Sequence, residues 1–242
     1  MSLLRDIAAT LRPPADDRHG PLVPMMVALT LLTGLVDAVS YLRLGHVFVA
    51  NMTGNVVFLG FALAGAGGLS AVASLVALAS FLLGAFAGGW LAARTAVHRG
   101  RLLRAATIAQ AALIMLALLV ALLASEPFAR DVRYALIVVL ALAMGVQNAA
   151  ALRLAVPELT TTVLTRTLTG MASQASIVGG AGAHAGRRGV AVAAMLTGAL
   201  VGGLLTLHVS IAATLALALA LGSALALTAH VLSRSTAVWT RG

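Results

Sequence analysis

Gly34-Leu35-Val36-Asp37-Ala38-Val39-Ser40-Tyr41-Leu42-Arg43-Leu44-Gly45-His46-Val47-Phe48-Val49-Ala50-Asn51-Met52-Thr53-Gly54-Asn55 joins one long apolar run to the next. The stretch sets a carboxylate, two amides and a Thr among residues apolar enough for a bilayer. Its parts recur further along the chain. Gly34 to Ala38 returns as Gly145-Val146-Gln147-Asn148-Ala149, offset by 111. Asn51 to Asn55 returns as Val163-Leu164-Thr165-Arg166-Thr167, offset by 112, and Gly84 to Gly89 returns as Gly198 to Gly203, offset by 114. Three blocks in the same order at nearly constant offsets indicate an internal duplication. The expected division is a tail over 1–20, a first repeat over 21–125, a second over 126–233 and a C-terminal tail over 234–242, all in one membrane domain.

Composition agrees with a membrane solvent. Of 242 residues, 61% are hydrophobic and 10% charged, and neither Cys nor Lys occurs. Mean hydropathy is +1.03, whereas about a quarter of a soluble domain is charged. A disordered chain, a disulfide scaffold and a nucleic-acid module are excluded. The net charge of +9 comes from Arg placed between apolar runs, where it determines topology rather than binding nucleic acid. Without Lys there is no Schiff base, and without Cys no thiolate chemistry. The expected fold class is all-α, a polytopic membrane helix bundle.

Apolar segments cover roughly 21–42, 47–66, 69–93, 103–125, 134–154, 159–183, 189–208 and 210–232, each near the ~20 residues of a spanning helix. The second and sixth stand apart through Asn51, Thr53 and Asn55, and through Thr160, Thr161, Thr162, Thr165, Arg166, Thr167, Thr169 and Gln174. Such segments line protein or water, or are broken. Eight crossings would give parallel repeats; six crossings with two re-entrant segments give inverted ones. Eight crossings would put Arg94, Arg99, Arg101 and Arg104 outside, against the positive-inside rule. Six crossings bring them inside with Arg153, Arg187, Arg188, Arg234 and Arg241, leaving only Arg43, Arg130 and Arg133 outside. The six-crossing arrangement is preferred. Residues 1–20 are expected to remain on the chain, with Leu3, Leu4, Ile7 and Leu11 on one face of a short interfacial helix or in a frayed tail.

The block from Gly34 to Asn55 closely resembles the signature of the YoaK family, bacterial integral-membrane proteins grouped under a domain of unknown function. Met144 to Ala149, followed by Thr161-Thr162-Val163-Leu164-Thr165, is similar to the same family, and the resemblance extends over nearly the whole chain. One position departs, Arg166, where the family usually carries a second Gly. The resemblance implies an inner-membrane protein of a kind often taken for a permease. It brings neither a substrate nor a mechanism.

Asp37 is the one acid well inside an apolar helix, where insertion costs roughly 2.5–3.5 kcal/mol. It is either a protonatable coupling group or cation ligand, or a structural clamp bonded to Asn51 or Asn55. Its repeat counterpart Asn148 is uncharged. A chain break at Gly54 would expose helix N–H groups suited to an anion. Thr161, Thr165 and Thr169 offer hydroxyls at i, i+4 spacing; the alternative is bonding back to their own helix carbonyls. Arg166 pairs with Asp37, binds an anionic solute or snorkels.

Gly84, Gly88, Gly89, Gly198, Gly202 and Gly203 form small-residue faces for helix packing or a homodimer. Trp90 and Trp239 read as interfacial anchors, and His46, His98, His184, His208 and His230 as helix-end residues without metal-ligand spacing. No hydrolase, metalloprotease or phosphate-loop motif is present, so no enzyme activity and no cofactor is expected. The expected function is a transporter or permease for a small polar solute or ion, with or without proton coupling. Its site comprises Asp37, Asn51, Thr53, Asn55, Gln147, Asn148, Thr161, Thr165, Arg166 and Thr167. A passive pore and a non-transporting scaffold are the alternatives, and membrane lipid is the expected partner in every case.

The preferred topology makes a direct prediction. Cys introduced by Ala96→Cys and by Ser2→Cys should both be labelled from the cytoplasmic side only. Labelling from opposite sides would establish a full crossing by segment 47–66.

Overall fold

The computed structural model describes residues 3–14, 17–95, 98–157, 159, 164–173 and 185–240. Among these the chain forms α1 (Leu3–Leu11), α2 (Leu22–Arg43), α3 (Met52–Leu63), α4 (Ala71–Thr95), α5 (Arg99–Leu123), α6 (Arg130–Leu154), α7 (Leu164–Ser173), α8 (Ala185–His208) and α9 (Ile211–Leu232), then a 3-10 turn at Val238–Thr240. Six of these, α2, α4, α5, α6, α8 and α9, are long and apolar enough to cross a bilayer. At 1.5 Å per residue they reach about 33–38 Å, against a hydrocarbon core of about 30 Å. The 12 residues of α3 extend only about 18 Å. Segment 47–66 therefore contains a short helix, not a crossing.

Several helices begin earlier than hydropathy places them. α5 starts at Arg99 instead of 103, α6 at Arg130 instead of 134, and α8 at Ala185 instead of 189. Arginines at helix ends extend their heads toward water while the backbone continues its hydrogen bonding, so an apolar window underestimates the helix. His98 caps α5, its Nδ1 accepting from the Arg101 N–H at 3.2 Å while Nε2 lies 2.9 Å from the Ser235 carbonyl. It is a fixed structural residue, more than a helix-end His.

α2 and α6, the first long helix of each half, form the centre. Buried residues make up 72% and 61% of their most apolar stretches, against 28–33% for the other four spans. α2 packs on α8, α6 on α4, and α5 on α9. Each central helix therefore lies against a helix of the opposite half, and the halves interlock. The contacts run parallel: Leu31 meets Gly198 and Leu35 meets Gly202, while Leu142 meets Gly84 and Val146 meets Gly88. The end of α2, by contrast, adjoins the start of α6, where Leu44 and Arg133 line one pocket. Equivalent helices thus run in opposite directions, the geometry of an inverted repeat.

Glycine makes the interlock possible. A Cβ on Gly84 would sit 2.2 Å from the Leu142 carbonyl oxygen, and one on Gly198 2.1 Å from that of Leu31. The match is residue by residue, since Leu31 and Leu142 differ by 111 and Gly84 and Gly198 by 114. Gly34 and Gly145 face back in the same way, toward Met195 and Ala199 in one case and Phe81 and Ala85 in the other. These faces are thus used between the halves of one chain, while a Cβ on Gly89 would meet nothing within 4 Å.

The short N-terminal helix α1 is present, not a frayed tail, and it docks. Asp6 Oδ2 accepts the Gly186 N–H at 2.7 Å, placing a carboxylate at the positive start of α8. Trp90 is half exposed and stacks under Arg94 at 3.8 Å, as an interfacial anchor would. Trp239 differs from expectation. It is only 6% exposed, packed over Gly20 at φ +45, because the chain after α9 folds back across the end of the bundle.

Gly84→Ala and Gly198→Ala should each destabilise the protein by about 1–3 kcal/mol, because overpacking here pushes backbone against backbone. Gly89→Ala should be neutral. Thermal unfolding in detergent checks the contrast; equal effects at the three positions would contradict the packing described.

Candidate functional site

Asp37 lies six residues before the end of α2, about 9 Å along the helix axis. Beyond Arg43 the chain reverses at Gly45 (φ +111) and His46 (φ +54), and it then returns to the level of Asp37. There Val49 and Ala50 donate their N–H groups to Asp37 Oδ1 at 3.0 and 2.9 Å, and the Asn51 side-chain amide donates to Oδ2. The carboxylate is 4% exposed. Irregular backbone at this depth cannot rely on water, so its donors need a protein acceptor. Asp37 supplies it.

Asn55 performs the second half of the same task. Its Oδ1 accepts the Phe48 N–H at 2.8 Å, and its Nδ2 donates to the Phe48 carbonyl at 2.6 Å. Fully buried, it ties the first turn of α3 to the loop before it. Gly54 is needed beside it, because a Cβ there would lie 2.7 Å from the Phe48 ring. Phe48 in turn stacks on Tyr41 at 5.0 Å and on Phe58 at 5.8 Å. The motif from Asn51 to Asn55 thus builds a pinned re-entrant half-helix that starts beside a buried carboxylate.

The expected site residues separate into groups. Asp37, Asn51 and Asn55 come together, while Thr53 points away on the exposed side of α3. On α7, Thr165 is exposed and Thr167 is 6% exposed, matching the exposure of Thr53 and burial of Asn55 at the equivalent positions. Asn148 donates to the Met144 carbonyl of its own helix at 2.9 Å. Thr160, Thr161, Thr162, Gln174, His184 and the Arg166 side chain lie outside the described part of the structure, and with them all three alternatives for Arg166, pairing with Asp37 included.

Gln147 belongs to a different assembly. Its Oε1 accepts from Gln110 Nε2, and its Nε2 donates to Thr33 Oγ1 at 2.8 Å. Thr33 bonds back to the Leu29 carbonyl at 2.9 Å. This buried layer joins α2, α5 and α6 near mid-height and lies between the two apolar cores of the bundle. Thr33 and Gln110 are absent from the sequence-based site. The available signal was Gln110, the single amide of its span, facing a second span that carries Gln147; an amide inside a span normally seeks a partner across helices.

One end of the bundle is sealed by Arg99. Its guanidinium donates to the Leu154 carbonyl that ends α6, to the Trp239 and Arg18 carbonyls at 3.4 Å, and to His19 Nδ1 at 3.1 Å. Burial and the adjacent Arg99 hold His19 below its usual range, which suits an acceptor of that bond. Burial pulls the Asp17 carboxyl upward, but bonds from the His19 and Gly20 N–H groups and the nearby Arg187 outweigh it and leave it below the usual value. The position 114 residues after Arg99 is Ala213, so the second half does not repeat this arginine there.

Residues 25–228 match a family described as protein of unknown function, DUF1275. A curated relative, the UPF0700 transmembrane protein YoaK of Bacillus subtilis (strain 168), is 34% identical over 146 residues, which is 60% of this chain and 63% of the relative's length. No solved structure matches.

Asp37→Ala should orphan three donors and cost at least ~2 kcal/mol, since a buried unsatisfied donor costs about 1–3 kcal/mol. Asp37→Asn should cost about half as much, because its amide oxygen still accepts and Asn51 can turn its own amide to match. Thermal unfolding of the two variants checks the order, and equal losses would remove the clamp.

Proposed function

The chain belongs to the DUF1275 family of membrane proteins, and from that premise we propose that it is a secondary transporter, not an enzyme, for a small polar solute in the bacterial inner membrane. The carrying observation is the pairing of interlocked antiparallel halves with a half-helix that starts inside the bundle. Transporters of inverted-repeat type place their sites at such interfaces, near mid-bilayer, beside broken helices. The Gln110–Gln147–Thr33 layer, spanning helices of both halves, is the polar element at the right height. Asp37 serves as the positioning residue of α3, its oxygens being engaged by loop donors. By the positive-inside rule the Arg99 end faces the cytoplasm. An outward-facing arrangement, closed at that end, accounts for the seal.

Reconstituted protein should move at least one solute of a broad metabolite panel into liposomes. Replacing the layer by Gln110→Leu with Gln147→Met preserves volume and leaves no orphan amide between the pair, and it should lower flux at least tenfold without lowering Tm. Collapse of accumulation by a protonophore would show proton coupling, and flux indifferent to it would show passive movement. No flux for any solute would sink the proposal in favour of a scaffold.

A further inference from the structure

The end opposite Arg99 holds a pocket of about 160 Å³ lined by Leu44, Gly45, Ser70, Ala73, Arg130, Arg133 and Tyr134. Roughly 10–15 Å³ of such space holds one water, so a small ion and several waters fit. The pocket lies where α2 ends and α4 and α6 begin, and residues of both halves form it. None of the lining residues is acidic.

Three features of its chemistry agree. Arg133 is part-buried, and its Nε has no hydrogen-bond partner among the described residues, an uncommon state for a guanidinium donor. Ser70 caps α4 by accepting from the Ala73 N–H at 3.2 Å, which leaves its O–H to donate, and Tyr134 adds a phenol. The first turn of α6 begins at Ala129 without a side-chain cap, so its free N–H groups and dipole add positive potential to two arginines. Asp131, in the same turn, is exposed. Arg43, the other arginine at this end, is engaged with the Thr206 carbonyl at 3.4 Å near the end of α8.

Like charges gathered at a positive helix end, on the face where the positive-inside rule disfavours them, need a compensating anion. We propose that this pocket binds a small oxyanion, phosphate or carboxylate, through the Arg133 guanidinium with Arg130, Ser70 and Tyr134 around it. Planar oxyanions and phosphates match the guanidinium fork. The same chemistry is offered by a free solute anion and by the phosphate of an anionic lipid.

Delipidated protein in low-chloride detergent buffer should bind inorganic phosphate or acetate by titration calorimetry, and Arg133→Gln should weaken this at least tenfold. Arg130→Gln, at an exposed position, should weaken it as well and serves if Arg133→Gln does not fold. Arg101→Gln, at the other end, should bind as the parent does. In parallel, nanodiscs of phosphatidylcholine with and without phosphatidylglycerol test the lipid source. A rise in Tm with phosphatidylglycerol that Arg130→Gln and Arg133→Gln abolish would support the site with lipid as its occupant. Absence of both effects, or effects unchanged in the two variants, would overturn the proposal. Neither arm depends on transport, so a failure here is separate from a failure to find flux.

Discussion

Gly198 rests on the carbonyl of Leu31, and Gly84 on the carbonyl of Leu142; in both places two backbones touch with no side chain between them. Lipid tails are as apolar as leucine, so burial of apolar surface gives helices little reason to associate in a bilayer. Dispersion contacts between closely spaced backbones provide it instead, and they fall off steeply if the gap widens. The two contacts fix α2 to α8 and α6 to α4. Once they form, α5 and α9 have one remaining face to share, and the short helices have a wall to lean on.

A second constraint acts on the loop between α2 and α4. A chain that leaves its helix at Arg43 and returns to the depth of Asp37 carries unpaired N–H groups into a region without water. A carboxylate accepts several of them through two oxygens, which a neutral side chain does less well. The cost of one buried acid is thus offset by the donors it satisfies. Asn55 treats Phe48 as a neighbouring strand would, donating and accepting at once.

Much of this was visible in the residues. The Gly blocks at 84–89 and 198–203 announce close packing, because few other roles require small residues at that spacing. Asp37 and Asn55 stand out against apolar surroundings, and their partnership follows from the need to satisfy polar groups. Gln147 lies apart from the Asp37 clamp, since it stands one residue before Asn148, the counterpart of Asp37, and adjacent residues on a helix face different neighbours; Gln147 turns to Gln110. Helix starts at Arg99, Arg130 and Ala185 were hidden, because hydropathy registers the side chain and not the backbone that continues beneath it. Nor could sequence reveal that Trp239 lies inside, as that depends on where the C-terminal segment folds.

The parallel pairing of α2 with α8 also orders events during synthesis. These helices are separated by about 160 positions along the chain, and synthesis proceeds at about 5–20 residues per second. The most deeply buried helix of the finished bundle therefore enters the bilayer many seconds before its main partner exists. Its glycine face and the amide-seeking hydroxyl of Thr33 wait against lipid or the insertion machinery during that interval. Asp6 waits longer still, since the Gly186 N–H that it caps is made 180 residues later. Completion of the second half is thus the step that commits the first half to its final packing.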